Sequence, residues 1–148
     1  MTVIAIDCDL RKIYAWCDTC GVAICKKAPD LALIREHIRL HLSDEPITVL
    51  YEIAGPVDYT DNKAIAHNKR RWTIWNVAMA AYLDAVKLSQ VLVSPSSTWT
   101  SGYPIEARHK LAKADYPQKD IRECQAMVWS YRLNPKSWTT LGDFLARL

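Results

Sequence analysis

Two carboxylates stand where the core of an apolar strand normally carries none. Asp7 lies in the run Met1–Asp9 and Glu52 lies in the run Ile47–Ile53, and both runs are short, apolar and rich in β-branched residues, as buried strands are. Burying an ionised carboxyl group is costly unless a positive charge compensates it. The two acids therefore indicate a compensating cation, most simply a metal ion.

A second acidic pair stands near the start of a predicted helix. Asp120 and Glu123 are three residues apart, so they project from the same helix face about one turn from each other. Together with Asp7 and Glu52 they offer oxygen ligands only, which favours magnesium or manganese over zinc. Two such ions roughly 4 Å apart activate a water and stabilise the leaving oxygen in phosphodiester hydrolysis, which is a nuclease mechanism. The alternative for each acid alone is structural, as a turn former or a first-turn acid.

The elements that must position these acids alternate between strands and helices. Strands are predicted at Met1–Asp9, Ile13–Trp16, Gly21–Cys25, Ile47–Ile53 and Gln90–Val93. Helices are predicted from Pro29 to about Ser43, from Lys63 to about Leu88, from about Gln118 to Asn134, and after Pro135. The long segment between Pro95 and Gln118 is predicted to be a loop, and loops of that length are usually functional or disordered. This order predicts an α/β fold.

Length and composition set the broad class. The 148 residues fit one domain, residues 1–148, with 50% apolar residues and a net charge of +3, which permits a nucleic-acid partner without requiring one. The N-terminus lacks the pattern of a signal peptide, and no apolar run is long enough to span a membrane. We therefore expect a cytoplasmic protein that has no membrane partner.

Cysteine and histidine residues raise a separate question. Five cysteines form an odd set without the density of a disulfide scaffold, so free thiols are expected. The segment Cys17-Asp-Thr-Cys20, with Cys25 beyond it, has the look of half a zinc knuckle, but no second CxxC or histidine pair is recognised at suitable spacing. His37 and His41 lack the Glu of a zincin motif. A hairpin turn with free thiols and a partly buried polar helix edge are the favoured interpretations.

The acidic segments, in their order along the chain, resemble a known superfamily. They read Ile4-Ala-Ile-Asp7, then Val49-Leu-Tyr-Glu52, then Asp120-Ile-Arg-Glu123. This order resembles that of the RNase H-like superfamily and, within it, the RuvC-type Holliday junction resolvases. In that family the first strand reads apolar-Gly-Ile-Asp, a central strand ends in Glu, and the last acids appear as Asp-or-His-x-x-Asp. The resemblance covers roughly residues 3 to 131.

The resemblance implies both a fold and an activity. The fold would be an RNase H-like α/β domain with a five-stranded mixed sheet, three antiparallel strands followed by two parallel ones, flanked by helices. The activity would be that of a metal-dependent DNA endonuclease that resolves four-way (Holliday) junctions by paired nicks, with two Mg²⁺ or Mn²⁺ ions in each active site. The four acids would be both metal ligands and catalytic residues. A homodimer acting on branched DNA is expected, because a four-way junction presents two symmetric strands.

Basic and aromatic residues complete the predicted site. The resemblance implies that Lys110, in the loop after Val91-Leu-Val-Ser-Pro95, contacts the scissile region, with Lys113 as the substitute. Trp99 and Tyr103 in the same loop are candidates for stacking on unpaired bases. The remaining predicted DNA contacts are Lys69, Arg70, Arg71, Arg108 and His109.

The sequence departs from the family pattern at three places. The last acid is Glu123 rather than Asp, the glycine two residues before the first Asp is Ala5, and Gly55 stands where the family carries an aromatic wedge. Tyr59 or a tryptophan is the substitute for that wedge, if one exists. Two alternatives stay open: a nuclease of the same fold with another branched or single-stranded substrate, and a catalytically silent module that binds nucleic acid or protein.

Overall fold

The first strand, β1, is the centre around which the sheet of the computed structural model is built. It pairs antiparallel with β2 on one side and parallel with β4 on the other. The strands are β1 (Thr2–Cys8), β2 (Ile13–Cys17), β3 (Ala23–Lys26), β4 (Ile47–Ile53), β5 (Gln90–Pro95) and β6 (Thr139–Thr140). The helices are α1 (Leu31–Leu40), α2 (Lys63–Ala85), α3 (Ser96–Trp99), α4 (Lys119–Leu133) and α5 (Leu141–Ala146), with a 3-10 turn at Pro135–Ser137.

The structure describes residues 1–8, 12–26, 31–41, 46–53, 63–85, 87, 89–100 and 119–147. Within these residues the strand order is β3-β2-β1-β4-β5-β6. The predicted mixed α/β sheet is confirmed: β1, β2 and β3 are antiparallel, and β4 and β5 are parallel to β1. The short strand β6 extends the sheet beyond the five predicted strands by pairing antiparallel with β5.

Alternation along the strands divides the core between the two faces of the sheet. Ile4 and Ile6 of β1 face one layer, which includes Ile34 of α1 and Leu83 of α2. Val3 and Ala5 of β1 face the other layer, with Leu50 of β4 and Met127 of α4. Because side chains alternate with a period of two, Asp7 and Glu52 belong to the α4 face of the sheet.

One polar side chain ties α2 to the ends of two central strands. Asn76 is fully buried, and its Nδ2 donates to the Cys8 carbonyl at 3.3 Å and to the Tyr51 hydroxyl at 3.0 Å. These hydrogen bonds fix where α2 lies along the length of β1 and β4. They satisfy polar groups that would otherwise be buried without these partners.

We predict that Asn76→Leu lowers the free energy of unfolding by about 1–3 kcal/mol, because it leaves the Cys8 carbonyl and the Tyr51 hydroxyl without this donor. Urea denaturation measures the change. The exposed Asp84→Asn substitution on the same helix is the control and should alter stability by less than about 0.5 kcal/mol. A decrease for Asn76→Leu no larger than that of the control would contradict the assigned role.

The placement of Trp99 differs from the sequence prediction. The sequence predicts a loop at this position, but Trp99 ends the short helix α3 and is 3% exposed. Its indole packs against Trp138 and donates a hydrogen bond to Glu52 of β4. A base-stacking role for Trp99 is therefore not retained, because a buried ring cannot reach a nucleic-acid base.

The cysteines and histidines near the first hairpin are also placed differently. The expected free thiols are confirmed for Cys17 and Cys20. The expectation that no histidine pair accompanies this turn is wrong, because α1 lies against the β2–β3 turn and brings His37 and His41 to the two cysteines. The four side chains form one group rather than separate polar and thiol sites.

No helix among the described residues is long and apolar enough to cross a membrane.

Candidate active site

Asp7 and Glu52 stand side by side at one edge of the sheet. The parallel register pairs Ile6 of β1 with Tyr51 of β4, so the next residue on each strand is one of the two acids. Adjacent parallel strands bring their carboxyl ends to the same edge, which is where open α/β sheets usually bind ligands. The two sequence-predicted acids are therefore neighbours.

Helix α4 brings the remaining acids to the same edge. It packs against β1 and β2, with Ile121 and Cys124 buried, and its first turn carries Asp120. Carboxylate oxygens of Asp7, Asp120 and Glu123 all lie within 4.8 Å of one another. The predicted grouping of these three acids is thus present, and the positive end of the α4 dipole lies beside them.

Glu52 belongs electrostatically to the same cluster. The pKa of Glu52 lies above its ordinary value, mainly because burial disfavours the charged carboxylate, and the charges of Glu123 and Asp120 raise it further. Trp99 acts in the opposite direction, since its Nε1 donates a hydrogen bond of 2.7 Å to Glu52 Oε2 and favours the ionised form. The indole thus orients one carboxylate oxygen of Glu52.

A buried cysteine forms the floor beneath the acids. Cys124 is fully buried, and its Sγ lies 3.6 Å from the Tyr14 carbonyl, to which the thiol donates. The pKa of Cys124 lies well above its ordinary value because of burial and the nearby charge of Asp7. The sulfur is therefore a neutral thiol, which adds no further negative charge to the cluster.

Trp99 is the residue at this site whose role the sequence did not reveal. It lies 47 residues from Glu52, so no local pattern connects the two. Trp138 stacks on it with ring centroids 6.3 Å apart, and the Trp99 carbonyl accepts from the Ser130 hydroxyl at 3.3 Å. These contacts hold the indole in place, so that Trp99 acts as a positioning residue for Glu52.

We predict that Trp99→Phe raises the pKa of Glu52, because an aromatic ring remains while the N–H donor that stabilises the carboxylate is removed. An NMR titration of the side-chain carboxyl carbon of Glu52 in metal-free buffer measures the shift. Trp138→Phe is the matched control, since Trp138 stacks on Trp99 but donates to Ser130 instead. An unchanged or lower pKa in Trp99→Phe would contradict the assigned hydrogen bond.

A hard divalent cation bound among the four carboxylates would stabilise the cluster. Burial and the charges of Glu123 and Asp120 raise the pKa of Glu52, and a cation between the carboxylates would oppose both effects. All the donor atoms of the group formed by Asp7, Asp120 and Glu123 are carboxylate oxygens, which Mg²⁺ and Mn²⁺ prefer. The arrangement can therefore hold such an ion.

The other predicted site residues divide into two groups. Arg70 and Arg71 are exposed on α2. Lys69 lies on the same helix, but its side chain is outside the described residues. Tyr59, Tyr103, Arg108, His109, Lys110 and Lys113 lie outside the described residues altogether.

The two arginines lie past the edge of the sheet that carries the acids. Asn76 is level with Cys8, the last residue of β1, and Arg70 and Arg71 precede it by five or six residues. At the rise of an α-helix they are about 8–9 Å further along the helix axis. Since α2 returns from the end of β4 to the start of β5, that direction leads beyond the acidic edge.

Comparison with solved structures shows a similarity to a known RuvC structure, whereas the sequence comparisons find nothing. No protein-family model matches the sequence, and a search of curated proteins finds no match. Among solved structures, the chain is similar to T. thermophilus RuvC in complex with a Holliday junction substrate, with a TM-score of 0.48 and 13% sequence identity over 92% of this chain and 95% of that one.

Proposed function

We propose that this protein is a metal-dependent endonuclease that cuts branched DNA, with the four-way junction as its substrate. The observation that carries the proposal is the convergence of Asp7, Asp120 and Glu123 within 4.8 Å, beside Glu52, at the carboxyl edge of two parallel strands. A module without catalytic activity would gain nothing from gathering repelling charges at one edge of its core. The convergence therefore favours an enzyme over a silent binding module.

The four acids have distinct positions in this mechanism. Asp7 and Glu52 are held by the central strands, whereas Asp120 and Glu123 come from the first turns of α4. Together they would hold two Mg²⁺ or Mn²⁺ ions, which supply an activated water and neutralise charge on the phosphate. Trp99 favours the ionised form of Glu52 and orients it, so that the carboxylate is ready to bind without rearrangement. Lys110 is proposed as a further catalytic residue and Lys113 as its substitute.

Basic residues near the same edge support nucleic acid as the substrate. Arg70 and Arg71 are exposed beyond the carboxyl ends of β1 and β4, where a strand of DNA entering the acidic site would pass. Arginine pairs with phosphate through a planar fork of donors, so these residues can hold the backbone without reading its sequence. The proposed contacts therefore favour recognition of DNA shape over recognition of bases.

A homodimer is part of the proposal. Ile74 and Trp75 are 71% and 39% exposed on α2, and with Arg71 and Ala78 they line a shallow surface depression. Met79 on the same helix is 4% exposed and packs in the core, so it does not contribute to this surface. A twofold partner that covers Ile74 and Trp75 and leaves the Arg71 guanidinium free for DNA would place two active sites on one junction, as paired nicking requires.

We predict that Asp7→Asn and Glu52→Gln each abolish cleavage of synthetic four-way junctions in magnesium. Both substitutions keep the shape of the side chain but remove a charged ligand, so the melting temperature in chelator should not fall and should rise with the relief of repulsion. Each kcal/mol of relief corresponds to about 2–4 °C for a chain of this size.

Single-turnover cleavage and thermal denaturation in chelator measure the two effects. Asp84→Asn, an exposed acid on α2, is the control and should retain activity. Near-wild-type cleavage by either active-site variant would refute the site. Equal cleavage of junctions, flaps and single strands by the wild-type protein would support nuclease activity but refute junction selectivity.

We predict that replacing Lys69, Arg70 and Arg71 together with Ala weakens junction binding and flattens its dependence on salt. Each phosphate that the variant no longer neutralises should reduce the slope of log affinity against log salt by about one, because fewer counterions are released. Binding titrations in calcium at several salt concentrations measure the slope.

The matched control replaces Arg39 and Lys87 with Ala. Both are exposed, and they precede the starts of β4 and β5, at the edge of the sheet opposite the acids. That double variant should keep the wild-type slope. An unchanged slope in the triple variant would show that the basic segment of α2 does not contact DNA.

A further inference from the structure

A second cluster of metal-binding side chains lies away from the acidic site. Ligand atoms of Cys17, Cys20, His37 and His41 all lie within 4.8 Å of one another. We propose that these four residues form a tetrahedral zinc site that fastens α1 to the β2–β3 turn. Two thiolates and two imidazoles make up one of the ligand sets typical of structural zinc.

The distances within the cluster match those of a zinc site. Cys17 Sγ lies 3.6 Å from His41 Nε2, and Cys20 Sγ lies 3.3 Å from His37 Nε2. Bond lengths of about 2.3 Å to sulfur and 2.0–2.1 Å to nitrogen, at tetrahedral angles, place sulfur and nitrogen ligands roughly 3.6 Å apart. The side chains are therefore already close to the spacing that the ion requires.

The conformation of the β2–β3 turn brings the two cysteines together. Gly21 has a φ of +69°, which lets the chain reverse after Cys20, and its N–H donates to the Cys17 carbonyl at 2.9 Å. Backbone N–H groups of Thr19 and Cys20 are directed to the Cys17 sulfur, and that of Val22 to the Cys20 sulfur. Such donors stabilise thiolates, which are the form that binds metal.

The two residues between the cysteines anchor the turn to the first strand. Asp18 Oδ1 accepts from the Val3 backbone N–H at 2.8 Å, and the other carboxylate oxygen pairs with Arg132. Thr19 and Thr2 share a hydroxyl hydrogen bond of 2.7 Å. These contacts fix the positions of Cys17 and Cys20 without the help of a bound metal.

Helix α1 supplies His37, and the residue directly after the helix is His41, so the two histidines form the other half of the site. His37 and His41 are four residues apart, so both face the turn, and their ring centroids are 5.0 Å apart. Ile34 and Ile38 on the same helix are fully buried in the core, which fixes the rotation of α1 and hence the direction of the imidazoles. Cys17 and His41 are almost fully buried, while Cys20 is exposed, so the ion would be reachable from one side.

This site is separate from the proposed active site. Cys17 pairs with Ile4 of β1 whereas Asp7 pairs with Tyr14, a displacement of three residues, or about 10 Å along the strand. Cys17 also belongs to the core layer on the α1 and α2 face, opposite the α4 face that carries the acids. The zinc inference is therefore independent of the proposed nuclease.

Zinc analysis of protein purified without an affinity tag and with reductant tests the proposal. The wild-type protein should contain about one zinc per chain. Cys20→Ser and His37→Gln should abolish zinc binding, and both replace side chains at the accessible side of the site, so the fold should survive. Cys25→Ser and Asp7→Asn are controls that should keep zinc. The first removes a thiol outside the proposed zinc site, and the second removes a carboxylate of the proposed active site.

Cobalt substitution and thermal denaturation supply the second readout. Co²⁺ should give the strong visible bands of a tetrahedral ion and the thiolate charge-transfer band, both absent in Cys20→Ser. A zinc chelator should lower the melting temperature of wild type and leave that of Cys20→Ser unchanged. Zinc-free wild-type protein, zinc retained in both ligand variants, or a Cys17–Cys20 disulfide in place of the metal would overturn the proposal.

Discussion

Repulsion among partly buried carboxylates is the constraint on which the rest of this structure depends. Burial and the charges of Glu123 and Asp120 raise the pKa of Glu52, so the cluster stores unfavourable electrostatic energy at the edge of the sheet. Most of the surrounding structure opposes that repulsion or holds the acids against it. The α4 helix directs its N-terminal dipole at them, Trp99 donates to Glu52, and Cys124 beneath them stays neutral.

The core supplies the rigidity that such a cluster needs. β1 is buried on both faces and bonded on both sides, and apolar layers from α1 and α2 on one face and α4 on the other hold it in place. The hydrogen bonds of Asn76 fix the position of α2 relative to the ends of β1 and β4, next to Asp7 and Glu52. A site built from strand ends and a helix start in this way keeps its geometry when the charges are not balanced.

The parts of this arrangement that are encoded locally could be predicted from the sequence. The short, apolar, β-branched runs that contain Ile4-Ala-Ile-Asp7 and Val49-Leu-Tyr-Glu52 predicted two buried strands and the unusual acids on them. The three-residue spacing of Asp120 and Glu123 predicted a shared helix face, which is confirmed. The α/β class followed from the order of the segments, whereas the mixed sheet was implied by the resemblance to the RNase H-like superfamily. By contrast, the bond from Trp99 to Glu52 crosses 47 residues, and the meeting of the β2–β3 turn with the histidines of α1 depends on how that helix packs, so tertiary contact rather than local propensity decides both.

The most direct test of the central claim is a crystal soaked in manganese and measured for anomalous scattering. Anomalous density is expected between the carboxylates of Asp7, Glu52, Asp120 and Glu123, with oxygen ligands from both the strands and α4. The same crystal would show the sulfur and imidazole cluster free of manganese, because that ion prefers oxygen ligands. A structure in which the four acids turn away from one another, with no manganese among them, would contradict the account.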